Sequence, residues 1–219
     1  FVDRITDVKT NSGKLARISI SRVGAEGTSI ACGFGGLLLA QSLLKEPLEP
    51  LRDFVATHIV RPNLDLFEKT AYYLPSLQTP DETKELEAMT PAERAKSYAE
   101  GLVNMSLAVV GGLGGQIAGQ MLFDHVSSVP NIGAAKHVKV ALIDRTMQLG
   151  VIIGLNTIFA QPSIDAQKKL GNILHKKLGL DEKAAHSSAD YLVNWQIPNV
   201  GGALAAVAAH FHYSKNMKW

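Results

Sequence analysis

The sequence predicts an all-α fold: a polytopic membrane helix bundle of about four transmembrane helices packed through small-xxx-small faces, with short peripheral helices. Three observations predict it. Four uncharged stretches, of 18, 23, 19 and 24 residues, match or approach the roughly 20 residues of a bilayer crossing. Each carries small residues four apart, the spacing that lets helix backbones approach closely in lipid. Charged residues are 19% of the 219, below the roughly 25% of soluble domains, while 46% are apolar.

Residues 1–26 form a polar N-terminal arm, in which the alternation of LARISISRV suits a strand or an extended segment. The chain opens at Phe1 rather than methionine, which reads as processing or truncation. Up to Arg22 there is no apolar signal core, and Asp3 and Asp7 weigh against a transit peptide. The first membrane helix is 27–44, bounded by Glu26 and Lys45 and carrying Gly36 and Ala40 four apart.

The connection 45–100 is the most acidic part, with eleven acidic and seven basic side chains, and reads as an extramembrane region with short helices. LRDFVATHIV follows Pro47 and Pro50 and is closed by Pro62, and NLDLFEKTAYY forms another helix before Pro75. Tyr72 and Tyr73 suit a membrane surface or ordinary packing. LQTPDETKELEAM reads as a solvated spacer. Thr90-Pro91-Ala92-Glu93 is the clearest start signal, an N-cap hydroxyl, a proline in the first turn and a glutamate at the capping-box position. Its helix is expected to run to about His125.

Within that helix, 101–123 holds six glycines and no charge. Gly101, Asn104, Ala108, Gly112, Gly115 and Gly119 share one face, with Val103, Leu107, Val110, Ile117 and Met121 opposite. Helix-interior glycine costs roughly 1 kcal/mol against alanine in water, so a glycine face implies close approach of another helix. Residues around Pro130, Asn131 and Gly133 make a turn. The third membrane helix, 146–164, follows Asp144-Arg145, contains Gly150 and Gly154, and ends near Pro162. Residues 165–179 form a basic amphipathic helix, suited to an anionic membrane surface or to packing on the protein, with Gly179 as its stop. The last membrane helix, 191–214, carries Gly202 and Ala206, and Pro198 either kinks it or starts a shorter one. Lys218 and Trp219 suit interfacial anchoring.

Few residues carry chemistry. Asp144 and Arg145 stand where the third span begins and read first as headgroup-level boundary charges, otherwise as a pathway or a pair. Asn104, Gln116, Gln120, Asn156, Asn194 and Gln196 place polar groups inside spans, to bond between helices or to line a path. His210 and His212, two apart, leave a helix on different sides, and no acidic or sulfur ligand lies near them in sequence, so no metal site is expected. Asp124-His125 and His186-Ser187-Ser188 lack the surroundings of a nucleophile. Cys32 is alone and forms neither an internal disulfide nor a metal knuckle. A nucleotide loop at 111–115, with Gly111, Gly112, Gly114 and Asp144, fails in register because its third small position is Ile117.

The expected function is therefore that of an integral membrane helix bundle with a structural or assembly role, a subunit of a larger complex. Alternatives are a transporter or channel using the polar residues of the spans, and a soluble nucleotide-binding enzyme. No catalytic residue, cofactor or metal is assigned. The expected partners are membrane lipids and other membrane subunits or further copies of the chain. The net charge of +2 gives no reason to expect nucleic acid.

Overall fold

The computed structural model describes residues 6–73 and 80–219, excepting the side chains of 72, 73, 80, 81 and 156. It is 84% helical, with no strand among the described residues. The helices are α1 (Asn11–Gln41), α2 (Glu49–Val55), α3 (Leu64–Tyr73), α4 (Pro80–Ala88), α5 (Pro91–Val126), α6 (Ala134–Ile158), α7 (Ala160–Leu178), α8 (Glu182–Asp190) and α9 (Asn199–Ser214). α1 and α5 are long and apolar enough to cross a membrane.

The expected N-terminal strand is replaced by helix. Thr10 caps α1 by accepting the Gly13 N–H at 3.0 Å, and Ile18, Ser21, Arg22, Ala25 and Ser29 then fall on one buried helical face. That face serves two facing helices better than the LARISISRV alternation would serve a sheet. The capping box of α5 forms as its residues require: Thr90 N–H donates to Glu93 Oε2 at 2.8 Å, and Glu93 N–H to Thr90 Oγ1 at 3.4 Å.

Two prolines act differently from expectation, and a third, Pro198, takes one of the two roles expected for it. Pro62 does not close a helix; it sits in a 3₁₀ turn, Arg61–Asn63, after a π-helical turn, Ala56–Val60, and the chain continues straight into α3. Pro162 lies in the first turn of α7, and the break falls earlier, at Phe159, so the uncharged part of α6 ends at Ile158. Pro198 caps α9 after a π-helical turn, Tyr191–Gln196, which leaves α9 with 16 residues, about 24 Å long. The spacer before Thr90 is helical from Pro80. Tyr72 and Tyr73 end α3, with side chains outside the described residues.

The chain divides into two compact units, the first comprising Phe1–Gly33, Val110–Val151 and Pro198–Trp219, the second Phe34–Val109 and Ile152–Ile197. In the first, α1 and α5 run antiparallel in close approach. A methyl group added at Gly111 would stand 2.7 Å from the Cys32 carbonyl oxygen, and one at Gly115 2.6 Å from Cys32 Cβ. Gly119 lies against Thr28 and Ala25 in the same way. α6 and α9 pack at Gly202, where an added methyl would meet Asp144, and around Ile132, Val140 and Ala206.

The second unit has ordinary apolar cores. Ala56, Val60, Ala95 and Ala99 pack with Phe67 and Tyr98, and Leu37 and Ala108 with Tyr191. Gly36 sits against the Leu107 carbonyl, 2.7 Å from where a methyl would be. α7 lays Leu174 and Leu170 on Ala185 and Ala189 of α8, so its apolar face is used for packing within the unit.

Candidate functional site

Four helices of the first unit each turn one stripe of residues inward. The stripes are Ser21, Arg22, Ala25 and Ser29 on α1; Gln116, Gly119, Gln120 and Asp124 on α5; His137, Val140, Asp144 and Gln148 on α6; and Asn199, Gly202, Ala206, His210 and Ser214 on α9. Each recurs at three- and four-residue spacing and carries polar or charged residues, mixed with small ones on α1, α5 and α9. The small residues let the helices close on one another, and the polar residues meet in the space between. Around them the outward positions are apolar and exposed: Val23, Leu122, Leu142, Val200 and Leu204.

Two sets of contacts occupy this interior. In one, the Asp144 carboxylate accepts from both Arg22 Nη2 and Gln116 Nε2. Arg22 also donates to Glu26 Oε1 at 2.5 Å and to Gln120 Oε1 at 3.2 Å. Asp144 is 0% exposed and Arg22 1%, so this is a fully buried ion pair with Glu26 at its margin. Arg145 extends it through neutral acceptors, the Ser29 hydroxyl, Gln148 Oε1 at 2.7 Å and Asn199 Oδ1 at 3.0 Å.

In the other set, Asp124 Oδ1 accepts from the Ser21 hydroxyl at 2.6 Å and from Gln120 Nε2 at 2.7 Å. Its other oxygen, Oδ2, stands 3.3 Å from His210 Nε2 and 3.6 Å from His137 Nε2. The two imidazoles meet edge to face with centroids 5.7 Å apart. Gln120 also donates to Ser21 and accepts from Arg22, so one glutamine joins the two sets.

The residues singled out in the sequence are thus distributed unevenly. Gln116, Asp144 and Arg145 come together, and Asp144 is enclosed within the protein because the α1 stripe brings Arg22 to it. Gly112, Gly115, Gly119, Gly202 and Ala206 are buried in the same unit. Gly36, Ala40, Ala108 and Asn104 belong to the second unit, where Arg52 donates to Ala40 O at 2.9 Å and Asn104 Oδ1 at 3.0 Å. Asn194 there donates to Asp190 Oδ1 at 2.6 Å. Gly150 and Gly154 have nothing within 4 Å of where a methyl would stand. The side chain of Asn156 lies outside the described residues. His212 is exposed beside Tyr213, whereas His210, 0% exposed, obtains its carboxylate neighbour from another helix. Residues 111–115 are mid-helix in α5, so the strand and turn of a dinucleotide loop are not formed. Gln120, named from sequence among the polar residues of the spans, joins the interior contacts of the first unit; Arg22, Glu26, Asp124 and His137 were not assigned from sequence as members of a site.

No protein-family model matches this chain, and no curated protein or solved structure matches it.

Proposed function

We propose that the chain is an integral membrane protein of about four crossings whose first unit carries protons through its polar interior. The observation that carries this reading is the inversion of that unit: ion pairs, amides and imidazoles inside, large apolar side chains outside. In water that arrangement exposes the groups that gain by burial and buries those that lose by it. In lipid both assignments are favourable, and ionisable residues held at depth mark ion paths and proton relays. α1 and α5 support the membrane placement. Of an eighteen-residue apolar stretch in each, only 28% and 33% is covered by protein, where a core helix of a soluble fold would be mostly covered. The crossings in this reading are 27–44, 101–123, 146–164 and 191–214, with the last two completed by chain on either side of the Phe159 break and Pro198.

A structural or assembly role is the second reading, favoured by one observation: Arg22 and Asp144 are both buried and paired with each other, so these two charges neutralise one another as a fixed pin would. Purified protein in liposomes separates the two. Under an imposed potential, the wild type is expected to acidify the lumen as read by a pH dye, and Asp144→Asn to abolish that flux while remaining in the carbonate-resistant membrane fraction. Absence of wild-type flux removes the transport reading and leaves the assembly role. Recovery of the wild type in the carbonate supernatant removes both.

A further inference from the structure

We infer that Asp124, His137 and His210 form a binding site for one divalent transition-metal ion of the zinc or cobalt kind. The three side chains come from α5, α6 and α9, and their nearest ligand atoms lie within 4.8 Å of one another. Metal–ligand bonds of about 2.0–2.1 Å in tetrahedral geometry set neighbouring ligand atoms about 3.3 Å apart. The separations from Asp124 Oδ2 to the two Nε2 atoms, 3.3 and 3.6 Å, lie close to that value, and a small closing of the two imidazoles, whose ligand atoms are within 4.8 Å of each other, completes it.

The unpartnered atoms point the same way. Asp124 Oδ2 and both ring nitrogens of His137 and His210 are buried and meet no hydrogen-bond partner. Buried polar atoms are nearly always satisfied, and here three unsatisfied acceptors converge on one point. A cation there satisfies all three at once. The carboxylate is also oriented for it, since Ser21 and Gln120 hold Oδ1 and leave Oδ2 toward the imidazoles. Two imidazoles and a carboxylate suit zinc, cobalt or ferrous iron rather than calcium or magnesium, which take oxygen ligands. Three protein ligands leave a fourth position for water or another small ligand.

This inference is independent of the membrane reading, because it concerns ligand geometry inside one compact unit. Its test is binding, not flux. Full-length protein in detergent is stripped with chelator and titrated with Zn²⁺ or Co²⁺. One equivalent of Zn²⁺ is expected by elemental analysis, together with Co²⁺ visible bands that saturate at one equivalent. His137→Gln, His210→Gln and Asp124→Asn are each expected to weaken binding by more than the roughly 10–100-fold that loss of a ligand's outer hydrogen-bond partner brings. His212→Gln, an exposed neighbour, is expected to leave it unchanged. Asp124→Asn keeps the oxygen that Ser21 and Gln120 use, so it is the variant expected to retain full helical circular dichroism. A wild type that takes up neither metal, or a His212→Gln loss equal to that of His210→Gln, overturns the inference. Where a variant loses its helix signal, the wild-type cobalt titration alone decides.

Discussion

The two units of this chain solve the same packing problem with opposite materials. The first buries Arg22, Gln116, Gln120, Asp124, His137, Asp144, Gln148, Asn199 and His210, and has only Ile18, Val129, Ile132 and Val140 as buried apolar residues larger than alanine among the described residues. The second buries Leu37, Val60, Val103, Ile152, Ile164, Leu174, Tyr191 and Val193, with Arg52 the one fully buried cation among its described side chains. That arginine is held mainly by backbone and amide oxygens, Ala40 O, Lys45 O and Asn104 Oδ1, with the Glu49 carboxylate at 3.5 Å, as a staple between segments. Directional, electrostatic cohesion in one unit and area-driven cohesion in the other imply different responses to substitution.

The largest difference is expected at the buried ion pair. Arg22→Met alone leaves Asp144 buried and uncompensated, a change that costs roughly 3–5 kcal/mol in comparable pairs. The double variant Arg22→Met/Asp144→Leu is expected to recover most of that loss. In the second unit Val60→Ala, which only opens a small cavity, is expected to cost roughly 2 kcal/mol, with no second substitution able to rescue it by removing a charge. Unfolding in detergent, followed by helical circular dichroism, measures all three. A double variant as unstable as Arg22→Met would show that the first unit coheres by packing after all, and the contrast would fail.

What the sequence discloses follows the same division. The α5 start at Thr90 was legible because its signal is contained within four residues, and the glycine face of 101–123 because it repeats along one helix. The helical state of 11–26 was missed: its apolar residues alternate, while the inward face is drawn by Ser21, Arg22, Ala25 and Ser29, polar or small residues that a hydrophobic pattern overlooks. Gln116 and Asp144 were singled out one at a time, yet their common partner Arg22 is brought in by tertiary packing. The Asp124, His137 and His210 cluster joins three helices and leaves no local spacing to recognise. A usable signal exists in retrospect, since polar residues on α1, α5, α6 and α9 recur in register with the small ones. Pro162 was read as a stop and lies instead in the first turn of α7, where a missing N–H costs nothing, whereas Pro198 takes the second of the two places expected for it, the start of a shorter helix.

A smaller and pH-dependent difference is expected in the second unit. Burial pushes the Asp190 carboxyl up to about 7, against the opposing hydrogen bond from Asn194. An acid whose folded value lies above its ordinary value of 3.8 binds protons more tightly when folded. Its burial is therefore tolerated at low pH and destabilises progressively as pH rises from about 4 towards 7. Asp190→Asn is expected to flatten that part of the stability profile and to raise the melting temperature at pH 8 relative to wild type. An unchanged profile would mean that the carboxylate is hydrated, and that this unit's interior is less closed than its apolar cores suggest.

The smallest effect is expected at the α5 capping box, which lies at the surface of the second unit. Thr90 receives the Glu93 N–H at 3.4 Å, a long bond, while the glutamate side chain accepts from both the N–H and the hydroxyl of Thr90 at 2.8 Å. Thr90→Ala removes the hydroxyl but leaves the backbone N–H contact to the glutamate, so the loss is expected at about 1 kcal/mol. For a chain of this size that corresponds to a shift of about 2–4 °C in melting temperature. Thr90→Ser is expected to restore it, since the serine hydroxyl occupies the same place. Water replaces a lost cap at an exposed helix end and cannot replace a lost countercharge at Asp144. The ratio of the two losses therefore measures how differently the chain's interior and its surface treat a polar group. A Thr90→Ala loss as large as that of Arg22→Met would place the start of α5, rather than the charged interior, at the centre of the fold's stability.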